Sequence, residues 1–192
     1  MKRLTCIISL NFIILSSWAC SCIGIHPINL ASLYADQVVV AKISPQRPYS
    51  NAIEVKITQV LKGTAELKGQ AVLLWQDFFE CSSLPRIDSS QEFVFAFDRI
   101  EEEYLVEYWA NSKELQTVSD SSSYKNVLTK LKAHQHFGLP GCSVSYIKME
   151  AQMEVVLARK YKPKKNRIIL RTRKRKLSRE DFIQYLKNLE KI

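Results

Sequence analysis

The chain has 192 residues, 28 Lys+Arg against 19 Asp+Glu for a net charge of +9, 46% hydrophobic and 24% charged residues, and only 5 Gly and 6 Pro. Such values describe one ordinary globular domain with room for an appendage, because domains typically hold about 100 to 150 residues. Collagen, low-complexity disorder and a multi-pass membrane protein are excluded.

The N-terminus reads as a secretory signal peptide over residues 1–19. Met1-Lys2-Arg3 supplies a basic start, residues 7–15 (IISLNFIIL) an apolar core, and Ser17-Trp18-Ala19 a small-x-small cleavage site. Cleavage there starts the mature chain at Cys20 and leaves 192 − 19 = 173 residues. The expected location is extracellular or periplasmic. A lipid-anchored form is the alternative, because a cysteine directly after a signal can be acylated, although Trp18 is a bulky residue to find before an acylated cysteine.

Of the five cysteines, Cys6 leaves with the signal, and Cys20, Cys22, Cys81 and Cys142 remain. An even number in an oxidising compartment predicts two disulfides rather than a metal cluster, since zinc spacings usually show close ligand pairs at both ends. Three pairings are open, of which Cys20 with Cys22 is strained by the single intervening residue. Closing a loop of about sixty residues from the N-terminus to Cys81 would stabilise the fold by roughly 4 kcal/mol in the chain-entropy picture.

Five short β-branched or aromatic runs follow: 37–43 (QVVVAKI), 53–60 (IEVKITQV), 70–76 (QAVLLWQ), 92–97 (EFVFAF) and 104–109 (YLVEYW). Polar turn chemistry such as Lys62-Gly63-Thr64 separates them, so they predict strands. Five strands without intervening helices suit a small barrel of the OB type better than an α/β sheet. Residues 124–136 carry Val127, Leu128 and Leu131 at helical spacing and predict a flanking helix. Ser178-Arg-Glu-Asp181 predicts the capped start of a second helix bearing Phe182, Ile183, Tyr185, Leu186 and Leu189.

Charge divides the chain. Residues 20–156 hold 12 basic and 16 acidic side chains, net −4, whereas residues 157–192 hold 14 basic and 3 acidic, net +11. The expected organisation is a signal at 1–19, a barrel domain at 20–142 and a basic α/β extension at 143–192. Lys164, Lys165, Arg171, Arg173, Lys174, Arg175 and Lys176 form the densest cationic runs, which attract polyanions such as acidic glycans or anionic membrane surfaces, or serve only as a solvated face. Export disfavours nucleic acid as the partner.

Catalysis by the chain itself is not expected. No His-Glu-x-x-His, Gly-x-Ser-x-Gly, phosphate loop or dinucleotide fingerprint occurs, and no cofactor is implied. His134 and His136 would approach one another on a strand, but on the predicted helix they diverge, with no acidic ligand at suitable spacing.

The order Cys20-Ser21-Cys22, His26-Pro27, Ala35-Asp36, Val38-Val39-Val40-Ala41-Lys42 and Leu61-Lys62-Gly63 resembles the netrin-like module of the tissue inhibitors of metalloproteinases over residues 20–109. That resemblance implies an OB-type five-stranded barrel and pairs Cys20 with Cys81, leaving Cys22 for Cys142. It further implies that the mature first residue presents its α-amino nitrogen and carbonyl oxygen to the catalytic zinc of a target endopeptidase, displacing the hydrolytic water. An α-amino group titrates near 7.7 to 8.0, so its neutral, metal-binding form is accessible near neutral pH. Ser21 would point into the protease's specificity pocket, with Phe79 and Glu80 alongside. Where the family carries a cysteine between Ala31 and Tyr34, this chain holds Ser32-Leu33. The alternative role is a non-inhibitory binding module that uses its basic tail; Phe79 would then be ordinary packing and Cys20 only a disulfide end.

Overall fold

The structure, a computed structural model, describes residues 27–45, 47–76, 84–86, 88–101, 104–105, 134–140, 144–158 and 172–189. Helix α1 (Ile28–Tyr34) leads into strands β1 (Gln37–Ile43) and β2 (Ala52–Lys62), a 3₁₀ turn at Ala65–Leu67, and β3 (Ala71–Gln76). Then follow β4 (Glu92–Arg99), β5 (Gln135–Leu139), β6 (Tyr146–Lys148), β7 (Gln152–Ala158), β8 (Thr172–Ser178) and α2 (Arg179–Lys187).

Pairing closes a five-stranded barrel in the order β1-β2-β3-β5-β4 and back to β1, with β3 and β5 parallel and the other neighbours antiparallel. This is the connectivity of an OB-like barrel, and the chain is mainly β. Two register shifts in the β1–β2 pair, at Val38/Val39 and Val40/Ala41, mark irregularities along the eleven-residue β2. Bulges of this kind increase local twist and let a long strand wrap a small barrel.

Period-two alternation sorts the side chains. Val39, Ala41, Ile43, Ile53, Val55, Ile57, Val72, Leu74, Phe93, Phe95, Phe97, Phe137 and Leu139 fill the interior. The alternate residues Val38, Val40, Val94 and Ala96 face outward, yet they are buried too, beneath α1, β7 and α2. Strands buried on both faces read as unbroken apolar runs, which is why 37–43 and 92–97 stood out.

The extension packs on that outer wall. Met153, Val155 and Leu157 of β7 share a core with Ile28 and Ala31 of α1 and with Phe182 and Leu186 of α2. β6, just beyond the expected domain boundary at residue 142, joins the barrel sheet along β4. The predicted start of α2 holds: Ser178 Oγ accepts from the Asp181 amide at 3.1 Å and its hydroxyl donates to Asp181 Oδ2 at 2.7 Å, meeting one of the orphan donors of the first turn.

Two expectations are corrected. Residues 104–109 do not begin as a strand: Tyr104 and Leu105 form a helical turn, both amides donating to Glu101 O, at 3.0 and 3.3 Å. Leu105 is buried against the outward-facing Leu73 and Trp75. The fifth barrel strand is instead β5, so His136 lies on a strand and His134 just before it, and the predicted helix does not extend to residue 136. Hydrogen-bonding edges offered by β3 and β4 decide the conformation of this segment, with Phe137 and Leu139 turned into the barrel. The rest of the predicted helix, 124–133, and residues 106–109 lie outside the described residues. Among the described residues no helix is long and apolar enough to cross a membrane.

Candidate functional site

The segment entering β1 is held at one end of the barrel by residues distant in sequence. Helix α1 has only seven residues and no capping side chain at its start, and its last carbonyls need outside donors. Lys62 at the end of β2 supplies one, its Nζ donating to Leu33 O at 2.8 Å. Gly63 then turns at φ +100°, and the Thr64 amide donates to Gln37 Oε1 at 2.8 Å while Gln37 Nε2 donates to Thr64 Oγ1 at 3.2 Å. A side chain at position 63 would meet Gln37 Oε1 at 2.0 Å and the Asp36 carbonyl at 2.7 Å. Glycine is therefore required by both conformation and space.

Asp36 sits at the same end. Its amide donates to Asp98 Oδ1 at 2.9 Å, and its own Oδ2 accepts from the Arg99 amide at 3.3 Å. Burial holds the Asp98 carboxyl above the usual range; the nearby Asp36 charge adds to this, and the Asp36 amide and Lys62 oppose it. Ala35-Asp36, the β1 run and Leu61-Lys62-Gly63 thus meet at the C-terminal end of α1, where the chain enters β1. The residues expected to act on a target, Cys20, Ser21, Cys22, Phe79 and Glu80, lie outside the described residues, as do Cys81 and Cys142.

The second candidate region is β8. Lys164, Lys165 and Arg171 lie outside the described residues, whereas Arg173, Lys174, Arg175 and Lys176 occupy consecutive, exposed strand positions. Register with β7 sorts them, because directly opposed residues share a sheet face. Arg173 opposes Leu157 and Arg175 opposes Val155; Lys174 opposes Val156 and Lys176 opposes Glu154. The lysine face carries its own counter-charge, with Lys174 Nζ 2.9 Å from Glu154 Oε1. Hydrogen bonding and charge from Lys174, then the charge of Lys176, hold Glu154 below the usual carboxylate range against slight desolvation. Arg173 and Arg175 have no acidic partner among the described residues.

Three features that fix this extension were missed by sequence reasoning. Asn29, 4% exposed, donates from Nδ2 to Ala158 O at 3.1 Å and to Tyr185 Oη at 3.2 Å, and accepts from the Ala158 amide at 2.9 Å. Glu92 of β4 binds the Arg179 guanidinium through Oε2. Thr58 Oγ1 lies 3.1 Å from both Glu92 Oε1 and Val40 O, with one proton to share between them. Burial, the largest influence on Glu92, pushes its carboxyl up, but hydrogen bonds from Arg179 and Thr58 and the charges of Arg179 and Lys42 outweigh it and leave the group below its usual range.

The histidines are placed apart in role. His136 Nδ1 accepts from the buried Trp75 indole at 3.0 Å, and Tyr49 stacks on the same indole with ring centroids 5.0 Å apart. His134 Nε2 lies 3.6 Å from Glu54 Oε2. Among the described residues, no group of three or more His, Cys, Asp or Glu side chains is arranged to hold a metal ion. Comparison of the sequence with protein-family models and with curated proteins finds no match.

Proposed function

We propose that the chain is a netrin-like inhibitor of zinc endopeptidases, acting through the mature N-terminal Cys20. One observation carries this reading. The parts of the resemblance that are separated in sequence, Ala35-Asp36 with β1 and Leu61-Lys62-Gly63, come together at one end of an OB-like barrel through Lys62–Leu33 and Gln37–Thr64. Those bonds fix the end of α1 and so give a rigid base to the helix that residues 20–26 precede in the chain. A rigid base matters because a wedge ordered in advance loses less entropy on docking.

In this reading the Cys20 amine and carbonyl coordinate the target's zinc in place of water, and Ser21 enters the adjacent pocket. The mature chain beginning at Cys20 is assayed against a panel of His-Glu-x-x-His zinc endopeptidases, beside a form with one extra alanine before Cys20. Inhibition by the first and its loss in the second, with unchanged circular dichroism, is the expected result. Equal inhibition by both forms, or none by the first across the panel, overturns the reading.

A further inference from the structure

We propose that the Arg173–Arg175 face of β8 is a binding site for a linear sulfated polysaccharide, a role separate from the inhibitor reading and independent of it. The two guanidinium groups leave the same side of one strand two residues apart, which at strand geometry places their Cα atoms about 6.8 Å from each other. Both are exposed, and neither has an acidic partner among the described residues. β8 is held along its whole length by continuous antiparallel register with β7, from Ala158↔Thr172 to Gln152↔Ser178. A polymer bearing sulfate groups along its length can lay successive groups on successive arginines.

Guanidinium chemistry fits this ligand. Its planar fork makes paired, charge-assisted hydrogen bonds to tetrahedral oxyanions, which an ammonium meets only as a point charge. The opposite face is a poorer site: Lys174 is engaged with Glu154, and Lys176 lies directly across from the same carboxylate. Its remaining neighbour, Val156, is 42% exposed and apolar. A nucleic acid strand is disfavoured because β8 carries no aromatic side chain on which bases could stack. A membrane surface is disfavoured because the arginine positions have no exposed apolar residue beside them on β8 to enter the lipid interface.

Heparin serves as the probe for the full secreted chain, with two double variants that each remove two positive charges. Arg173→Gln with Arg175→Gln is predicted to weaken heparin binding about tenfold at 0.15 M salt, and Lys174→Gln with Lys176→Gln less than threefold. Equal charge loss makes the comparison decisive, since a diffuse electrostatic attraction would weaken both alike. Comparable losses in the two variants, or an unchanged affinity in the arginine variant, overturn the proposal. So does tighter arginine-dependent binding to phosphatidylserine vesicles than to heparin, which would assign the face to a membrane. Melting temperatures of both variants within two or three degrees of the parent's establish that the fold is intact, as expected for exposed positions.

Discussion

Replacing Asn29 by alanine tests whether the C-terminal extension is part of the barrel's own structure. The carboxamide makes two bonds to the Ala158 backbone and one to the Tyr185 hydroxyl, with nearly no exposure to water. Truncation leaves the Ala158 amide and carbonyl without those partners at the end of β7. Net contributions of about 1 kcal/mol per bond, plus the cost of burying unpaired groups where water enters poorly, total about 2–4 kcal/mol. For a chain of this size that corresponds to a fall in melting temperature of roughly 5 to 15 °C. Urea unfolding gives the energy, and amide hydrogen exchange locates it: β7 and β8 should lose protection before the barrel strands. Asn29→Asp is a sharper variant, because an ionised carboxylate would face the Ala158 carbonyl and be worse than alanine at neutral pH. A cost below about 0.5 kcal/mol for Asn29→Ala, with β7 protection intact, would refute the clamp.

Other substitutions separate conformational from steric demands. Gly63→Ala should cost about 2–4 kcal/mol, because strain at positive φ is joined by collision with Gln37 and Asp36, whereas Gly69→Ala, at φ +84° with open space around it, should cost only about 1 kcal/mol. Equal costs in urea titrations would show that space at position 63 is irrelevant. Ser32 Oγ is buried without a hydrogen-bond partner among the described residues, so Ser32→Ala should stabilise by about 1 kcal/mol, and a clear loss in melting temperature would disprove that. Asp98, whose folded pKa is raised chiefly by burial and further by Asp36, contributes stability while protonated and loses it as pH rises through that folded value. Asp98→Asn keeps an acceptor for the Asp36 amide, so it should stabilise at pH 7, with a gain that shrinks toward about pH 4; a pH-independent effect would contradict the assignment. Glu92 runs oppositely, its stabilisation being lost as pH falls through its lowered folded value.

What the sequence disclosed follows from where each residue's determinants lie. β1 and β4 were legible because burial on both faces makes their apolar runs continuous, and α2 because Ser178 and Asp181 are three residues apart. β5 was not: QHFGL mixes two polar residues and a glycine into five positions, and its state is imposed by edges of β3 and β4. Helix α1 escaped notice because Pro27 offers no capping side chain and the helix spans two turns. The alternating YLVEYW pattern points to a strand at 104, yet Glu101 O accepts from the Tyr104 and Leu105 amides and draws them into a turn. At the site, the cations of β8 were evident as composition, but their division into an arginine face and a lysine face exists only through register with β7. Asn29 and Ala158 stand 129 residues apart, a separation at which no local pattern announces a contact.

Anchoring of the extension bears directly on what its charge can do. A cationic tail free to move would attract any polyanion and would lose conformational freedom with each group it captured. β8 is instead tied to β7, β7 to α1 through Asn29, and the first residue of α2 to β4 through Arg179 and Glu92. The arginine spacing is therefore set before any ligand arrives, and selectivity between sulfate patterns becomes possible without added charge. It follows that Asn29→Ala, which changes no charge, should nevertheless reduce discrimination between heparin and a carboxylate-only polymer of equal charge density. If both polymers weaken in parallel or neither changes, the fixed register of β8 contributes nothing to recognition, and attraction by net charge suffices.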